Sequence, residues 1–429
     1  MLAALKSQKR EQLSFWVLAL LLFFLYWSSA LTLALNFVLL AFFLVSLLAG
    51  KNKLSLADHY PLLLGLVFFS YLLLRVGVDV FWLEQSQQEN LRFLRKVWVF
   101  LPFFAIALLV LSERSLKFLW VSMSLGFLAY VFFASGEGLA FFTSLERLGV
   151  RKLNAQHLGL LAAIFFVVYS FLLAEWMAKK GKSVQDWLLI GMVGLLIGAF
   201  LFLTLRSLSR GPWIALLVHF SVLALFYFWQ RFRVTGLLVF VVLIATILVS
   251  SRFIPPADFV LQRLLQEASV VQTLLVSGLD ALEMSSWGIR AHLWAAGLDA
   301  GFSHFWFGAG WYAPEGLIAQ ADIPVWAKDF DHFHNQFIDL FVRLGVFGLL
   351  LFLAFLIAVY TAVWRAYLGS YINIYALLMR VSVLNVLVLS FMTETYLSFF
   401  SWWQNLALLL GMILMTVMHS TQSESPGCS

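Results

Sequence analysis

The chain has 429 residues, 62% of them hydrophobic and 12% charged, whereas a soluble domain carries about 45–50% apolar and about 25% charged residues; with a mean hydropathy of +0.93, a soluble fold is excluded. Its formal charge of +6 comes from 28 Lys and Arg scattered between apolar runs, which excludes the clustered basic footprint of a nucleic-acid binder and fits basic residues held on one side of a membrane. The single cysteine, Cys428, leaves no internal disulfide and no Cys-built metal centre.

A spanning helix needs about 20 apolar residues. Runs of that kind occur at 13 to 29, 31 to 49, 61 to 79, 97 to 112, 116 to 135, 157 to 177, 187 to 205, 212 to 229, 234 to 250, 344 to 364, 374 to 392 and 399 to 418. The fold class expected is an all-α polytopic membrane protein with about twelve transmembrane helices. The first run follows Lys6, Lys9 and Arg10 with no small-residue cleavage site after it, so it reads as an uncleaved span that starts in the cytoplasm.

Alternate short loops then carry the basic residues: Lys51 and Lys53, Arg114 and Lys117, Lys179 with Lys180 and Lys182, Arg231 and Arg233, and Arg365. That alternation puts both termini in the cytoplasm. The opposite loops are short, as near Ala30 and Tyr396, or mixed in charge, as from Glu84 to Lys96 and from Glu137 to Lys152. The chain reads as one integral membrane domain, 1–429, in which 251–335 forms a long outward loop subdomain, periplasmic in a bacterium. A connection of that length in a compact membrane protein is usually functional. Within it, Val260, Leu261, Leu264, Leu265, Ala268, Val271, Leu274 and Leu275 follow a helical period between Phe259 and Leu282, predicting a helix along the interface. Trp287, Trp294, Trp306, Trp311 and Trp326 suit the same boundary. Gly194 and Gly198 form a GxxxG that predicts close helix packing.

Charges without a topological reason are the candidates for chemistry. Arg206 and Arg210 lie in LRSLSRGPW at the outer end of one span; Gly211 and Pro212 then open the next helix, whose N-terminal N–H groups would face an anion beside Arg210. The alternative is that both arginines are interfacial anchors. Arg290 follows Ser285 and Ser286, either of which can cap a helix; a cation there opposes the helix dipole, as an anionic ligand would require, unless it is a plain loop residue. The densest cluster is DFDHFHNQFIDLFVRLGVFGLL, from Asp329 to Leu350. His334 has a pKa range suited to taking a proton from a hydroxyl, with a helix cap as the bland reading; zinc held by His332, His334 and nearby acids is a weaker one. Asp339 and Arg343 are spaced for a helix-surface ion pair. His219 reads as an interior residue. Asn154 and His157, with His332, stand where a substrate path is expected, although capping suits Asn154 better.

From His334 the run HNQFIDLFVRLGVFG fits H-[NSQ], nine residues, G-x-x-[GTY], with His334 and Asn335 as the first pair and Gly345 and Gly348 closing it. The SRG at Ser209 to Gly211, and the stretch from Arg290 to Trp294 followed by Gly308 and Gly310, stand in the same order. Together they resemble the O-antigen ligases and related O-oligosaccharyltransferases. The resemblance implies an enzyme of the bacterial inner membrane, with a periplasmic active site, that moves an O-antigen glycan from undecaprenyl diphosphate to a hydroxyl of the lipid A core oligosaccharide. Its partners would be those two lipids and the surrounding membrane lipid, with no cofactor and no metal. The parts list agrees: Arg210, Arg290 and Arg206 to stabilise a leaving diphosphate, His334 as base, and no glycosidase-type carboxylate pair. An O-antigen polymerase using the same donor is the alternative, and a transporter a more distant one, since transporters place their charges mid-membrane in paired repeats.

Overall fold

The computed structural model describes residues 15–27, 59–82, 102–107, 112–137, 153–179, 181–209, 211–224 and 269–415, with isolated positions between them. The protein is an all-α polytopic membrane protein; among the described residues the only β feature is an isolated bridge between Val150 and Leu153. In chain order the helices are α1 (Phe15–Phe24), α2 (Tyr60–Trp82), α3 (Pro102–Ala107), α4 (Glu113–Ser135), α5 (Ala155–Ala178) and α6 (Val184–Arg206). They continue with α7 (Gly211–Ala224), α8 (Ser286–Ser303), α9 (Ala313–Gln320), α10 (Gln336–Leu368), α11 (Ile374–Phe391) and α12 (Phe400–Leu414). Among the described residues six helices, α2, α4, α5, α6, α10 and α11, are long and apolar enough to cross a membrane, and α1, α7 and α12 are shorter apolar helices. The run expected at 234 to 250 lies outside the described residues, that at 31 to 49 is described only at isolated positions, and that at 97 to 112 is described at Phe100 and over α3.

Local chemistry sets the helix ends. Ser112 caps α4, which stops at Gly136 in the left-handed region, and Asn154 caps α5 by accepting the His157 N–H at 2.9 Å. Ser183 and Asp186 form a reciprocal capping box on α6, satisfying donors that a helix start leaves open.

Two compact units divide the chain. The first comprises Met1–Trp213, Phe347–Ser390 and Tyr396–Ser429. In it α5 packs along α6, and α12 packs on α3. Lys117 pairs with Glu175 at 2.6 Å, and Arg380, buried in α11, pairs with Glu113 at 2.6 Å; these pairs tie together the helix ends that the charge pattern assigns to one side. The Arg206–Glu137 pair, also at 2.6 Å, ties the opposite ends of α6 and α4. Among the described residues the close packing expected at Gly194 and Gly198 is not made: a methyl group added at either would meet nothing within 4 Å. Close approach occurs instead at Gly126, where a Cβ would strike the Phe23 backbone, and at Gly159, against Ser207.

The second unit comprises Ile214–Val346 and Phe391–Thr395, so the loop region 251–335 falls inside it; 251–268 lie outside the described residues. The helix expected over Phe259 to Leu282 is seen over 269–277 and ends at Gly278, whose φ of 84° lets the chain turn into a short 3-10 segment, Leu279–Ala281. Val271, Leu274 and Leu275 on that helix are exposed, as an apolar face meant for lipid would be. The core of this unit is Leu293 of α8, Ile318 of α9, Phe333, and Val342 of α10. Gly297 and Gly301 bring α8 against Ile338 and Phe341 of α10 so closely that a Cβ would overlap them.

Two expectations for this unit need correction. Trp311 does not sit at the membrane boundary; it is fully buried, with the Arg343 guanidinium 5.0 Å above its ring. Asp339 and Arg343 do pair, but both are buried, and Arg343 also donates to the Trp311 carbonyl. The pair is an internal brace because α9 and the preceding turn cover this face of α10.

That brace works with a glycine lock. Gly345 interrupts α10 with φ 69° and ψ −173°, a conformation essentially reserved for glycine. There the Val346 N–H bonds to the Phe305 carbonyl at 2.7 Å, and the Ala309 N–H to the Val342 carbonyl at 2.7 Å. A Cβ on Gly345 would strike the Trp306 backbone, and one on Gly308 the Arg343 backbone. Gly345→Ala is expected to cost at least about 1–3 kcal/mol from backbone strain alone, read as a lowered thermal unfolding midpoint in detergent; an unchanged midpoint would contradict the lock.

Candidate functional site

Asp331 to Asn335 form the turn that leads into α10. Asn335, not His334, is the cap: its side-chain oxygen accepts the N–H groups of Phe337 at 3.0 Å and Ile338 at 3.2 Å. Its side-chain amide donates to the Met392 carbonyl at 3.1 Å, tying the start of α10 to the turn after α11. Relieved of capping, His334 sits at φ 49°, in the left-handed region that non-glycine residues seldom occupy. Such strain persists only where the surroundings over-determine it.

The surroundings here are three side chains and an indole. His334 Nδ1 lies 2.9 Å from Glu394 Oε1, and His332 Nε2 lies 3.0 Å from the same oxygen. The Thr395 N–H donates to that oxygen at 3.1 Å. On its other nitrogen, His332 Nδ1 is 2.5 Å from Asp331 Oδ1. The two imidazoles stand edge to face with centroids 4.3 Å apart, Phe330 covers His334 at 4.8 Å, and the Trp294 indole N–H reaches the His334 carbonyl at 3.4 Å.

Arg290 closes the group from α8. Ser285 caps that helix by accepting from Gly288 N–H at 2.9 Å, which puts Arg290 just beyond the first turn. Its guanidinium folds back to the Ser286 carbonyl at 2.9 Å and hydroxyl at 2.5 Å, donates to the Thr393 carbonyl at 3.0 Å, and approaches Glu394 Oε2 at 4.0 Å. The dipole conflict read from the sequence is thus met by two carbonyls, a hydroxyl and a carboxylate.

These contacts give the two histidines opposite charge states. Burial works against the cation at His332, yet the bonds to Asp331 and Glu394 outweigh it and raise its pKa to about 9. Burial also lowers His334, and here the support from Glu394 does not compensate, because the charges of His332 and Arg290 push the same way as burial. Glu394 is buried, which raises its pKa, but the hydrogen bonds from both histidines win and hold it well below the usual carboxylate range. The His332 bond lowers Asp331 to about 2. The site at neutral pH therefore has a charged His332 between two carboxylates beside a neutral His334. Among the described residues no partner for His334 Nε2 is present, so that nitrogen is available as a proton acceptor.

Arg210 is outside the described residues, although α7 does start at Gly211 with Pro212 next. Arg206 belongs to the first unit, buried and balanced by Glu137. His157, also in the first unit, is buried against the rings of Tyr396, Phe399 and Trp402, while Asn154 is its helix cap. His219 is buried in α7. Gly345 is the lock described above, and Gly348 is buried one turn further along α10.

Glu394 was not anticipated. It stands sixty positions from His334 in a turn that hydropathy marks only as short. The available signal was its charge: it is the single acidic residue between the last two apolar runs, an ionisable group beside the membrane with no topological role.

The turn thus gathers a neutral histidine, a charged histidine and an arginine around one buried carboxylate. Residues 192–353, which include His334 and Arg290, match the family model described as O-antigen ligase. The matched segment, less than half of the chain, is what is similar to the O-antigen ligases. No curated protein matches the chain.

The charge states carry a pH signature. An ordinary histidine loses its proton near pH 6.5, and His332 keeps it in the fold to about 9, so its stabilisation is complete below 6.5 and lost as pH rises through about 9. Asp331 and Glu394 contribute in the opposite sense, above the ordinary carboxylate range, and lose that contribution in acid. The unfolding midpoint should fall between pH 6.5 and about 9, and His332→Gln should flatten that fall; equal slopes in the two proteins would disprove the assignment.

Proposed function

We propose that the protein is an O-antigen ligase that transfers a glycan from undecaprenyl diphosphate to a hydroxyl of the lipid A core oligosaccharide, on the periplasmic face of the bacterial inner membrane. The observation that carries the reading is a neutral His334, inside the matched family segment, whose Nδ1 is held by Glu394 and whose Nε2 is left to accept a proton.

In this reading Nε2 takes the proton of the acceptor hydroxyl as its oxygen attacks the anomeric carbon of the donor sugar. The bond from that carbon to the diphosphate breaks, and the diphosphate leaves with the polyprenyl chain. A single displacement inverts the anomeric configuration and needs no enzyme-bound sugar. Diphosphate is a good leaving group once cations offset its growing charge, so no general acid is required. Arg290 is proposed for that role, with Arg210 at the start of α7. Arg206, the third arginine of that expectation, is buried and paired with Glu137.

A polymerase would share the donor and the base and differ in its acceptor. The metal reading also keeps a specific observation in its favour: His332, His334 and Glu394 offer three donor atoms within 4.8 Å of one another, and Asp331 on the far nitrogen of His332 is the outer carboxylate commonly found behind a metal-bound histidine. Against it, both histidines meet one carboxylate oxygen at hydrogen-bond distances, an arrangement that protons alone complete.

Purified protein given a lipid-linked glycan with either a lipid A core acceptor or a second lipid-linked glycan distinguishes the readings. The ligase should transfer only to the first. His334→Ala should retain donor binding and lose transfer by a factor of about 10²–10⁴, the span of general-base catalysis; Arg290→Ala should lower it by about 2.7–4 kcal/mol of barrier if it acts as one oxyanion donor does. Transfer in EDTA should be undiminished. Polymer formation alone would favour the polymerase, and abolition by EDTA with rescue by zinc would favour the metal.

A further inference from the structure

The structure assigns Glu394, which lies outside the matched family segment, as the positioning residue that selects the tautomer of His334 with its lone pair on Nε2. The assignment rests on the reading of His334 as the base.

An ionised carboxylate can only accept hydrogen bonds. Three donors converge on Glu394 Oε1: His332 Nε2, His334 Nδ1 and the Thr395 N–H. His332 is bonded on both nitrogens to carboxylates, so both of its nitrogens carry protons and it cannot reverse the bond to Glu394. His334 Nδ1 must then also donate. A neutral imidazole has one N–H, and with the proton on Nδ1 the lone pair is on Nε2. Without Glu394, nothing described at Nδ1 would choose between the two forms, and the Nε2–H form cannot accept a proton where the hydroxyl needs it.

Glu394 is itself held by its turn. Met392 and Thr393 give their carbonyls to Asn335 and Arg290, and Thr395 gives its N–H to the Glu394 carboxylate. One short turn thus fixes the cap of α10, the arginine of α8 and the ring of His334. The left-handed backbone of His334 is the local cost of turning its ring toward that carboxylate. The groups facing His334 are Glu394 from this turn, Arg290 from α8, and His332 with Asp331 from its own segment; Asp339 of α10 lies behind His332.

The test is ring nitrogen-15 NMR of the full chain in liposomes at pH 8, with the His334 signals identified by their loss in His334→Gln. In the wild-type protein His334 should be neutral and protonated on Nδ1. Glu394→Ala should move it to the Nε2–H form or a mixture of forms. Formate, which refills the site with a carboxylate, should restore the Nδ1–H form, and neutral formamide should not. Glycan transfer by Glu394→Ala should fall by about a hundredfold or more, with donor KM little changed and formate raising the rate.

A wild-type His334 protonated on Nε2 would overturn the assignment, as would an alanine variant that keeps the Nδ1–H form. The wild-type spectrum decides even if the alanine variant does not fold. If the spectra behave as stated and transfer by Glu394→Ala is undiminished, the positioning role stands and the base reading of His334 falls.

Discussion

The second unit depends on a buried carboxylate that two imidazoles share. An ionised Glu394 alone in that position would carry a large desolvation penalty. It is tolerated because a charged His332, a neutral His334 and a backbone N–H surround one of its oxygens, and Arg290 stands 4.0 Å from the other. The dependence is mutual. Without Glu394, His332 would lose a buried carboxylate and keep Asp331, which is largely exposed, while Arg290 would keep its two carbonyls and the Ser286 hydroxyl as partners. Removing one member of such a group costs more than the pair contributes, since it strands a buried charge.

The surrounding elements make that cluster rigid enough to be chemical. α8 lays a glycine face on α10, the Arg343–Asp339 brace is buried under Trp311, and Gly345 lets the start of α10 lock against the chain leaving α8. Catalysis by a positioned base tolerates little misplacement, and each of these contacts restricts the segment that carries His334. The two histidines also divide the labour. Because His332 holds its charge, it repels a proton from His334, which stays neutral where an isolated histidine would begin to protonate.

Much of this was legible in the sequence, for reasons that also mark where reading stops. Hydropathy located the long spans because a bilayer leaves the backbone no alternative to a helix. His334, Asn335 and Gly345 were found by a local pattern, and the pattern works because the cap, the site residue and the lock are consecutive along one helix entry. Asn154 was correctly read as a cap from its place before an apolar run. Glu394 was missed because its partnership with His334 spans sixty residues and no local periodicity encodes such a contact. Asp339 and Arg343 were expected on a surface since spacing reveals that two residues face each other but not what covers them. Gly194 and Gly198 meet no neighbour among the described residues: the motif permits close approach but does not supply the neighbour.

If His334, held by Glu394, is the base of the proposed transfer, it must face the reacting carbon of a lipid-linked sugar. Electron cryo-microscopy of the protein in lipid nanodiscs with a non-hydrolysable polyprenyl-diphosphate glycan tests it most directly. The anomeric carbon should lie close enough to His334 Nε2 for one acceptor oxygen to fit between them, with the diphosphate beside Arg290 and with Glu394 bridging both imidazoles. A donor seated away from this turn, or a metal ion between His332, His334 and Glu394, would contradict it.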